Sequence, residues 1–432
     1  MSTPVALDIS ALPGPDTIAW RTLPNGLTLL ARENFVSPAI FVAGFLRVGA
    51  QDEPAELAGL ASLTATLLTR GTRTRSYDEI NERVESVGAS LRVVSATHTT
   101  TFSMKGLAED VVPLLDVLSD ILRSPTFPEE HVERVKQQHL TALREREHNT
   151  RARATLAFSE HAYPPGHPYH TPTAGHIHTV EPITRDDIMR FFEAHYEPRG
   201  GAVVIVGAIS AEEALNVLEH TFGTWEPKPD RARVPVPPAS PPGTTVKVAV
   251  SVPGKAQSDI VVGAPAMPIT HSDYLPATVA NTVLGVFGLM GRLGKNVRDR
   301  EGLAYYAHSV LHRSPLNAPW YAVAGVAPEM VERAVTLIQG EIRRLGEELV
   351  PEEELTDNKS YMVGSLPLRL ETNEGMASAI LDLVRYDVGL DYLQRLPERI
   401  WNVDAEAVRR VTATYLRPEA CVVAVAGPPQ PK

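Results

Sequence analysis

The sequence predicts an α+β fold made of two homologous domains, each a mostly antiparallel sheet packed with helices. Three observations predict it: strand patterns that come in runs, an internal repeat, and a proline-rich segment between the repeats. The predicted organisation is an N-terminal domain over residues 1–226, a linker over 227–243 and a C-terminal domain over 244–432.

The first half carries both periodicities. Alternating or continuous apolar runs predict strands at 27–33, 40–49, 91–106 and 202–207. Apolar residues at helical spacing predict helices at 55–69, 109–123, 129–147 and 185–194. Because the strands do not strictly alternate with helices, antiparallel sheets are favoured over a doubly wound parallel sheet.

The repeat appears at two independent places. Residues 183–207 and 403–427 both contain an amphipathic helix pattern, a Tyr, a charged turn with Pro and an apolar strand, and they end at Gly207 and Gly427, 220 positions apart. Residues 102–136 resemble 321–359 in the same way, with Gly106 and Gly325 lying 219 positions apart. A shared offset of this length indicates duplicated domains rather than a solenoid.

The segment between the repeats, residues 226–243, contains seven prolines. Proline has no amide hydrogen and a fixed φ, so such a segment cannot form a helix or a central strand. It is predicted to be a semi-extended linker.

Composition excludes several classes of protein. The chain has 432 residues, 43% of them hydrophobic, and a net charge of −11, which suits a globular fold and disfavours nucleic acid as a partner. The absence of a long apolar run or a basic leader predicts no membrane partner and no secretory signal. The single cysteine, Cys421, excludes a disulfide framework and is compatible with the predicted cytoplasmic location.

Five histidines lie within residues 161–178, a segment interrupted by four prolines. Histidine clusters can bind metal. Catalytic zinc ligands, however, usually come from a rigid helix or strand, so a surface loop is the favoured interpretation.

Residues 49–72, GAQDEPAELAGLASLTATLLTRGT, point to a family. The segment resembles the zinc-site region of the pitrilysin, insulinase and mitochondrial processing peptidase family, the inverted zincins. In that family a Gly-Leu-Ala opens a helix bearing His-x-x-Glu-His, and Gly-Thr closes the segment. Here Gly59, Leu60 and Ala61 match the opening, and Gly71 and Thr72 match the close.

The catalytic side chains of that helix are missing. Ser62 and Thr66 occupy the two histidine positions, and Ala65 occupies the glutamate position. The resemblance places the family's third zinc ligand, a glutamate, at Ala142. Positions i, i+3 and i+4 share one face of a helix, where histidines would bind zinc and a glutamate would activate water. This chain is therefore expected to bind no metal.

A second signature lies at 291–310, GRLGKNVRDREGLAYYAHSV. It resembles the C-terminal half of the family, in which an Arg is followed seven residues later by a Tyr. The matching residues are Arg298 and Tyr305. The resemblance implies that this pair binds the substrate backbone and stabilises the oxyanion, a task that suits guanidinium and phenol donors. The alternative is an Arg at a helix end and a Tyr in packing.

Together these features resemble the zinc-site-lacking subunits of bacterial heterodimeric peptidases. The expected function is a non-catalytic subunit that acts as a metalloendopeptidase only within a complex and is inactive alone. The expected partners are a homologous chain that carries the zinc and a peptide or unfolded-protein substrate. Two alternatives stay open: a scaffold homologue, and a peptide-binding homodimer without hydrolysis.

Overall fold

The computed structural model of the protein describes residues 12–229, 236–286 and 291–429. Residues 1–11 and 430–432, at the outer ends of the two predicted domains, lie outside the described residues, as do residues 230–235 of the predicted linker. The positions of the predicted domain boundaries stay a prediction. The described helices and strands are arranged around two sheets.

The first sheet has six strands in the order β1-β2-β6-β3-β5-β4. Neighbouring strands are antiparallel except for β2 and β6, which run parallel. Its strands are β1 Ala19–Thr22, β2 Thr28–Glu33, β3 Ala39–Leu46, β4 Ser90–Ser95, β5 Thr100–Leu107 and β6 Ala202–Gly207.

Eight helices belong to the same half of the described chain. They are α1 Leu60–Leu67, α2 Tyr77–Glu85, α3 Val111–Arg123, α4 Glu129–Glu147, α5 Thr150–Ala162, α6 Ile177–Val180, α7 Arg185–His195 and α8 Ala211–Phe222. Four single 3-10 turns accompany them, at Ala50–Asp52, Ala55–Leu57, Leu68–Arg70 and Ala108–Asp110.

The second sheet has five strands in the order β7-β11-β8-β10-β9, and β7 and β11 form its parallel pair. Its strands are β7 Val246–Ser251, β8 Ser258–Pro265, β9 Ala304–Leu311, β10 Pro319–Val326 and β11 Val422–Gly427.

Seven α-helices of the described chain accompany these strands. They are α9 Tyr274–Gly285, α10 Val331–Glu347, α11 Glu352–Gly364, α12 Leu366–Arg369, α13 Asn373–Arg385, α14 Tyr392–Trp401 and α15 Ala405–Tyr415. A π-helix covers Gly294–Arg300 and a 3-10 turn covers Pro328–Met330.

The two sheets share one topology. The five strands of the second sheet repeat the order of β2, β6, β3, β5 and β4 in the first. The glycines that anchored the sequence repeat occupy equivalent places: Gly207 and Gly427 end β6 and β11, while Gly106 and Gly325 lie in β5 and β10. The predicted fold class, with two homologous α+β units and mostly antiparallel sheets, is confirmed.

Each half contributes one helix to the other half's sheet. Helix α5 packs against β7, β8 and β11, where Phe158 is fully buried and its ring meets that of Tyr321 edge-on at 5.4 Å. Helix α13 packs against β3 and β6 of the first sheet. The two helices begin at Thr150 and Asn373, close to the offset of the sequence repeat. The halves therefore interlock through equivalent helices.

Among the described helices, none combines the length and the hydropathy that crossing a bilayer requires.

Candidate functional site

The helix with the altered zinc motif, α1, has a fixed starting point. Gly59 precedes it with φ of 104°, and a Cβ there would lie 2.7 Å from a methyl carbon of Val180. The Glu53 carboxylate accepts hydrogen bonds from the backbone N–H groups of Gly59, at 2.9 Å, and Ala61, at 2.8 Å. These contacts satisfy donors that every helix N-terminus leaves free, so α1 starts at Leu60 rather than near residue 55.

The three altered motif positions on α1 carry no zinc ligand. Thr66 is exposed, and its hydroxyl donates to the backbone oxygen of Ser62 at 3.0 Å. Ser62 is partly buried, and Ala65 is buried with no polar side-chain atom. The Thr66 hydroxyl is therefore engaged by the helix itself, and neither hydroxyl has the basicity of an imidazole.

The fourth position, Ala142, lies exposed on α4, which packs against α1. The structure thus brings the helices that carry the four positions together. Across the ranges that the structure describes, no three His, Cys, Asp or Glu side chains are grouped so that they could hold a metal ion. The side chains at these four positions do not fit zinc.

Glu53 is a feature of this region that sequence reasoning missed. Burial raises the pKa of its carboxyl to about 7, and the N–H donors of Ala61 and Gly59 oppose that rise. The sequence pattern that could have revealed its role is an acidic residue shortly before Gly59, the glycine that precedes α1. Glu side chains are favoured at helix N-termini.

The second predicted pair, Arg298 and Tyr305, lies where the π-helix leads into β9. Arg298 is partly buried near the end of the π-helix, and Tyr305 is 84% exposed in β9, one of the two outer strands of its sheet. Within the described ranges, neither side chain forms a hydrogen bond or an ion pair. The Tyr305 side chain is therefore accessible from outside the chain.

The π-helix is held in place from its N-terminal side. Arg292, just before it, forms a bidentate ion pair with Glu354 of α11, at 2.9 and 2.7 Å. Arg300 and Asp299 line a surface cleft, and the Arg292–Glu354 ion pair lies in the wall of the same cleft. Arg298 is not among the residues that line this cleft, as its spacing of two residues from Arg300 predicts.

The two predicted residue sets occupy different parts of the fold. Helix α1 packs against α4, α7 and β4, which belong to the first half. The π-helix packs against β9 and α10, which belong to the second half. Arg298 and Tyr305 therefore lie on two adjoining elements of the second half, and the positions of the altered zinc motif lie on two adjoining helices of the first.

The histidine-rich segment packs more closely than the predicted surface loop. His167 is buried, and its ring stacks on that of Tyr163 with centroids 4.6 Å apart. The Nδ1 atoms of His161 and His170 lie 2.8 Å from the backbone oxygens of Ala157 and Tyr163. Burial lowers the pKa of His167 to about 4, so its ring is neutral at pH 7. These rings serve packing and backbone contacts.

Comparisons with known proteins identify the family. The sequence model described as Insulinase (Peptidase family M16) matches residues 31–170, and the model described as Peptidase M16 inactive domain matches residues 182–362. The first of these ranges contains α1, and the second contains Arg298 and Tyr305.

Two relatives align over most of the chain. A protein of Arabidopsis thaliana named probable mitochondrial-processing peptidase subunit beta is 25% identical over 430 residues, which cover 95% of this chain and 78% of the relative. A Helicobacter pylori protein named non-peptidase homolog YmxG is 24% identical over 384 residues, which cover 88% of this chain and 87% of the relative.

The fold matches a solved structure as well. The crystal structure of a peptidase M16 inactive domain from Pseudomonas fluorescens has a TM-score of 0.88 to this chain at 21% identity, covering 96% of this chain and 99% of that chain. The family predicted from residues 49–72 and 291–310 is confirmed. The chain therefore belongs to peptidase family M16, the insulinase family.

Proposed function

We propose that this chain is the non-catalytic subunit of a heterodimeric zinc peptidase, and that it supplies Arg298 and Tyr305 to an active site whose zinc is bound by a homologous partner chain. The observation that carries the proposal is the presentation of this pair. Tyr305 is 84% exposed on an outer strand, while α1 of the same chain has no side chain suited to zinc. One chain thus has half of the residues that the reaction needs.

The chemistry of the pair suits peptide hydrolysis. When a nucleophile attacks a peptide carbonyl, negative charge develops on the oxygen, and donors aimed at that oxygen lower the barrier. A guanidinium stays charged at all relevant pH values, and a phenol donates one strong hydrogen bond. In the proposed complex, Arg298 and Tyr305 would stabilise the charged oxygen, while a zinc ion held by the partner chain would supply the activation of water.

Substrate binding in the proposal uses extended backbone. Each of the strands β4 and β9 is one of the two outer strands of its sheet, and β4 packs against α1. An outer strand offers backbone donors and acceptors to an added peptide strand. Peptides and unfolded segments can extend in this way, whereas folded proteins cannot. The proposed location of the complex is the cytoplasm, which suits a chain whose single cysteine is a buried thiol.

The test is co-expression of this chain with a homologous chain that carries His-x-x-Glu-His, followed by a peptide-cleavage assay on the purified complex. Arg298→Ala or Tyr305→Phe is expected to lower turnover about 100- to 1,000-fold, the usual effect of removing one oxyanion donor. Assembly and the zinc content of the partner should not change.

Arg300→Ala is the matched control, because it removes the same charge from a neighbouring Arg that lines a cleft to which Arg298 does not contribute. Near-normal turnover of both the Arg298 and the Tyr305 variant in an active heterodimer would remove the catalytic role and favour the scaffold alternative. A stable homodimer that binds peptide and forms no complex with a zinc-bearing chain would favour the homodimer alternative.

A further inference from the structure

A cleft of about 360 Å³ lies where the two halves meet. Most of its lining comes from four segments: the turn 96–99 between β4 and β5, the segment 168–173, residues 312–319 between β9 and the start of β10, and the C-terminal end of α13. Arg47, two residues of α5 and Tyr321 complete it. The described residues that line it include Arg47, Arg313 and Arg385 but no Asp or Glu. A cationic lining of this kind contrasts with the net charge of −11 on the whole chain.

Two of these arginines are fixed against the same ring. The guanidinium carbons of Arg47 and Arg385 lie 5.2 and 4.9 Å from the centroid of Phe45, which is fully buried. Arg47 also donates to the backbone oxygens of Gly200, at 3.0 Å, and Arg385, at 3.1 Å. Since the two guanidiniums are preorganised, an anion bound there would not have to order them.

Two of these arginines share one carboxylate of the described residues. Asp382, which is not among the residues lining the cleft, lies 2.7 Å from Nη1 of Arg313 and 3.6 Å from Nη1 of Arg385. The buried Nε of Arg385 has no hydrogen-bond partner in the described part of the chain. Arg313 and Arg385 share this one carboxylate, so the described side chains of this pair carry an excess of positive charge, which favours binding of an anion.

Three of the remaining polar side chains of the cleft are neutral at pH 7. Burial lowers the pKa of His312, and its Nε2 lies 2.9 Å from the hydroxyl of Tyr321. Burial raises the pKa of the hydroxyls of Tyr169 and Tyr386, so both stay protonated at pH 7. Aromatic rings and prolines form much of the remaining surface, which suits an organic anion better than a hydrated inorganic one.

The cleft lies at the far end of the strand that carries Tyr305. Strand β9 runs from Ala304 to Leu311, and His312 of the cleft follows directly. At about 3.3 Å per residue, the seven steps from Tyr305 to His312 span about 23 Å. An extended peptide of about eight residues along β9 therefore reaches from Tyr305 to the arginines.

We infer that this cleft binds a carboxylate of the peptide substrate, supplied by the peptide's C-terminus or by an acidic side chain. Arginine forks match the planar carboxylate through paired hydrogen bonds. The inference rests on the proposed function, because it names the group by which a peptide on β9 is recognised. It adds a preference for anionic peptides to the oxyanion role of Arg298 and Tyr305.

The test uses the purified full-length chain and fluorescence anisotropy in physiological salt. Three labelled decapeptides are compared: one built from Val, Thr and Ser with a free C-terminus, the same peptide with a C-terminal amide, and the amide with one internal Glu. The free acid, or the Glu-containing amide, is expected to bind at least 10-fold more tightly than the neutral amide. Which of the two does so identifies the source of the carboxylate.

Arg313→Gln is expected to weaken binding of the preferred peptide about 10- to 100-fold, the cost of losing a hydrogen bond between charged groups. Arg343→Gln removes the same charge from an exposed position on α10, outside the cleft, and should leave affinity unchanged. Circular dichroism melting curves establish that both variants fold. Equal affinity of the native chain for all three peptides, or no binding of any of them, overturns the inference. This outcome does not depend on whether a variant folds.

The outcomes also separate this inference from the proposed function. If Arg298→Ala abolishes turnover in the heterodimer and the carboxylate preference is absent, the subunit role stands and the cleft assignment fails. If the chain prefers peptides with a carboxylate but the Arg298 and Tyr305 variants keep near-normal turnover, the cleft assignment stands and the catalytic role fails.

Discussion

Replacing Glu53 by Gln tests how the N-terminus of α1 is stabilised. Gln has nearly the same shape and keeps one carbonyl acceptor for the N–H groups of Gly59 and Ala61, but it cannot ionise. In the native protein, burial raises the pKa of the Glu53 carboxyl from 4.5 to about 7. The variant therefore removes a titration while leaving most of the packing in place.

The sign of the effect follows from the two protonation states. Below pH 4.5 the carboxyl is protonated in both the folded and the unfolded chain. Between pH 4.5 and about 7 the unfolded chain ionises freely while the folded chain retains the proton, so the free energy of unfolding falls as pH rises. At about 1.4 kcal/mol per pH unit the full loss is about 3 kcal/mol, and about 2 kcal/mol of it falls between pH 5.5 and pH 8.

Urea unfolding of both proteins at pH 5.5 and pH 8 measures this loss. The free energy of unfolding of Glu53→Gln, relative to the native protein, should rise by about 2 kcal/mol from the lower to the higher pH. Glu56→Gln, three residues away and exposed, should show no such change. A difference between the Glu53 variant and the native protein that is the same at both pH values would refute the reasoning.

Three further predictions concern the fold and the metal. Phe158→Ala should lower the free energy of unfolding, measured by urea titration, by about 3–5 kcal/mol, because it empties a fully buried site between α5 and the second sheet. The control is Val112→Ala. Because Val112 is 55% exposed, this change should alter the free energy of unfolding by less than about 0.5 kcal/mol. Cys421 is buried with a raised thiol pKa, so a colorimetric thiol reagent at pH 8 should label it only in denaturant. The purified chain should contain no stoichiometric zinc by elemental analysis and should cleave no peptide alone; one zinc per chain that Ser62→Ala or Thr66→Ala abolishes would contradict this.

The strands that form the sheet centres could be predicted from sequence, and one hairpin could not. β6 and β11 are continuous apolar runs that end in Gly, a strong pattern. The stretch 91–106 forms two strands, β4 and β5, joined by the turn 96–99. That turn has neither Gly nor Pro, so the sequence offers no signal for it. Helix α5 was not predicted from the sequence either. Its buried face includes small residues such as Ala154 and Ala157, which are buried by packing against the sheet of the other half.

The functional residues also fall into a group that the sequence predicts and a group that it does not. Arg298 and Tyr305 are close in sequence and lie in a recognisable frame, so they could be named in advance. The cleft arginines Arg47, Arg313 and Arg385 are separated by at least 72 positions and come together only through the packing of the two halves. No local pattern marks such a set, because its members belong to different strands, turns and helices.

The exchange of α5 and α13 between the halves determines when the protein can fold during its synthesis. The last strand of the first sheet ends at Gly207, but α13, which covers β3 and β6, begins at Asn373. The ribosome makes about 5–20 residues per second, so about 8–33 seconds separate the two. For that time the nascent chain exposes an apolar sheet face that its own sequence cannot yet cover. Chaperones that hold nascent chains should therefore bind this chain, and bind it longest between the synthesis of β6 and that of α13.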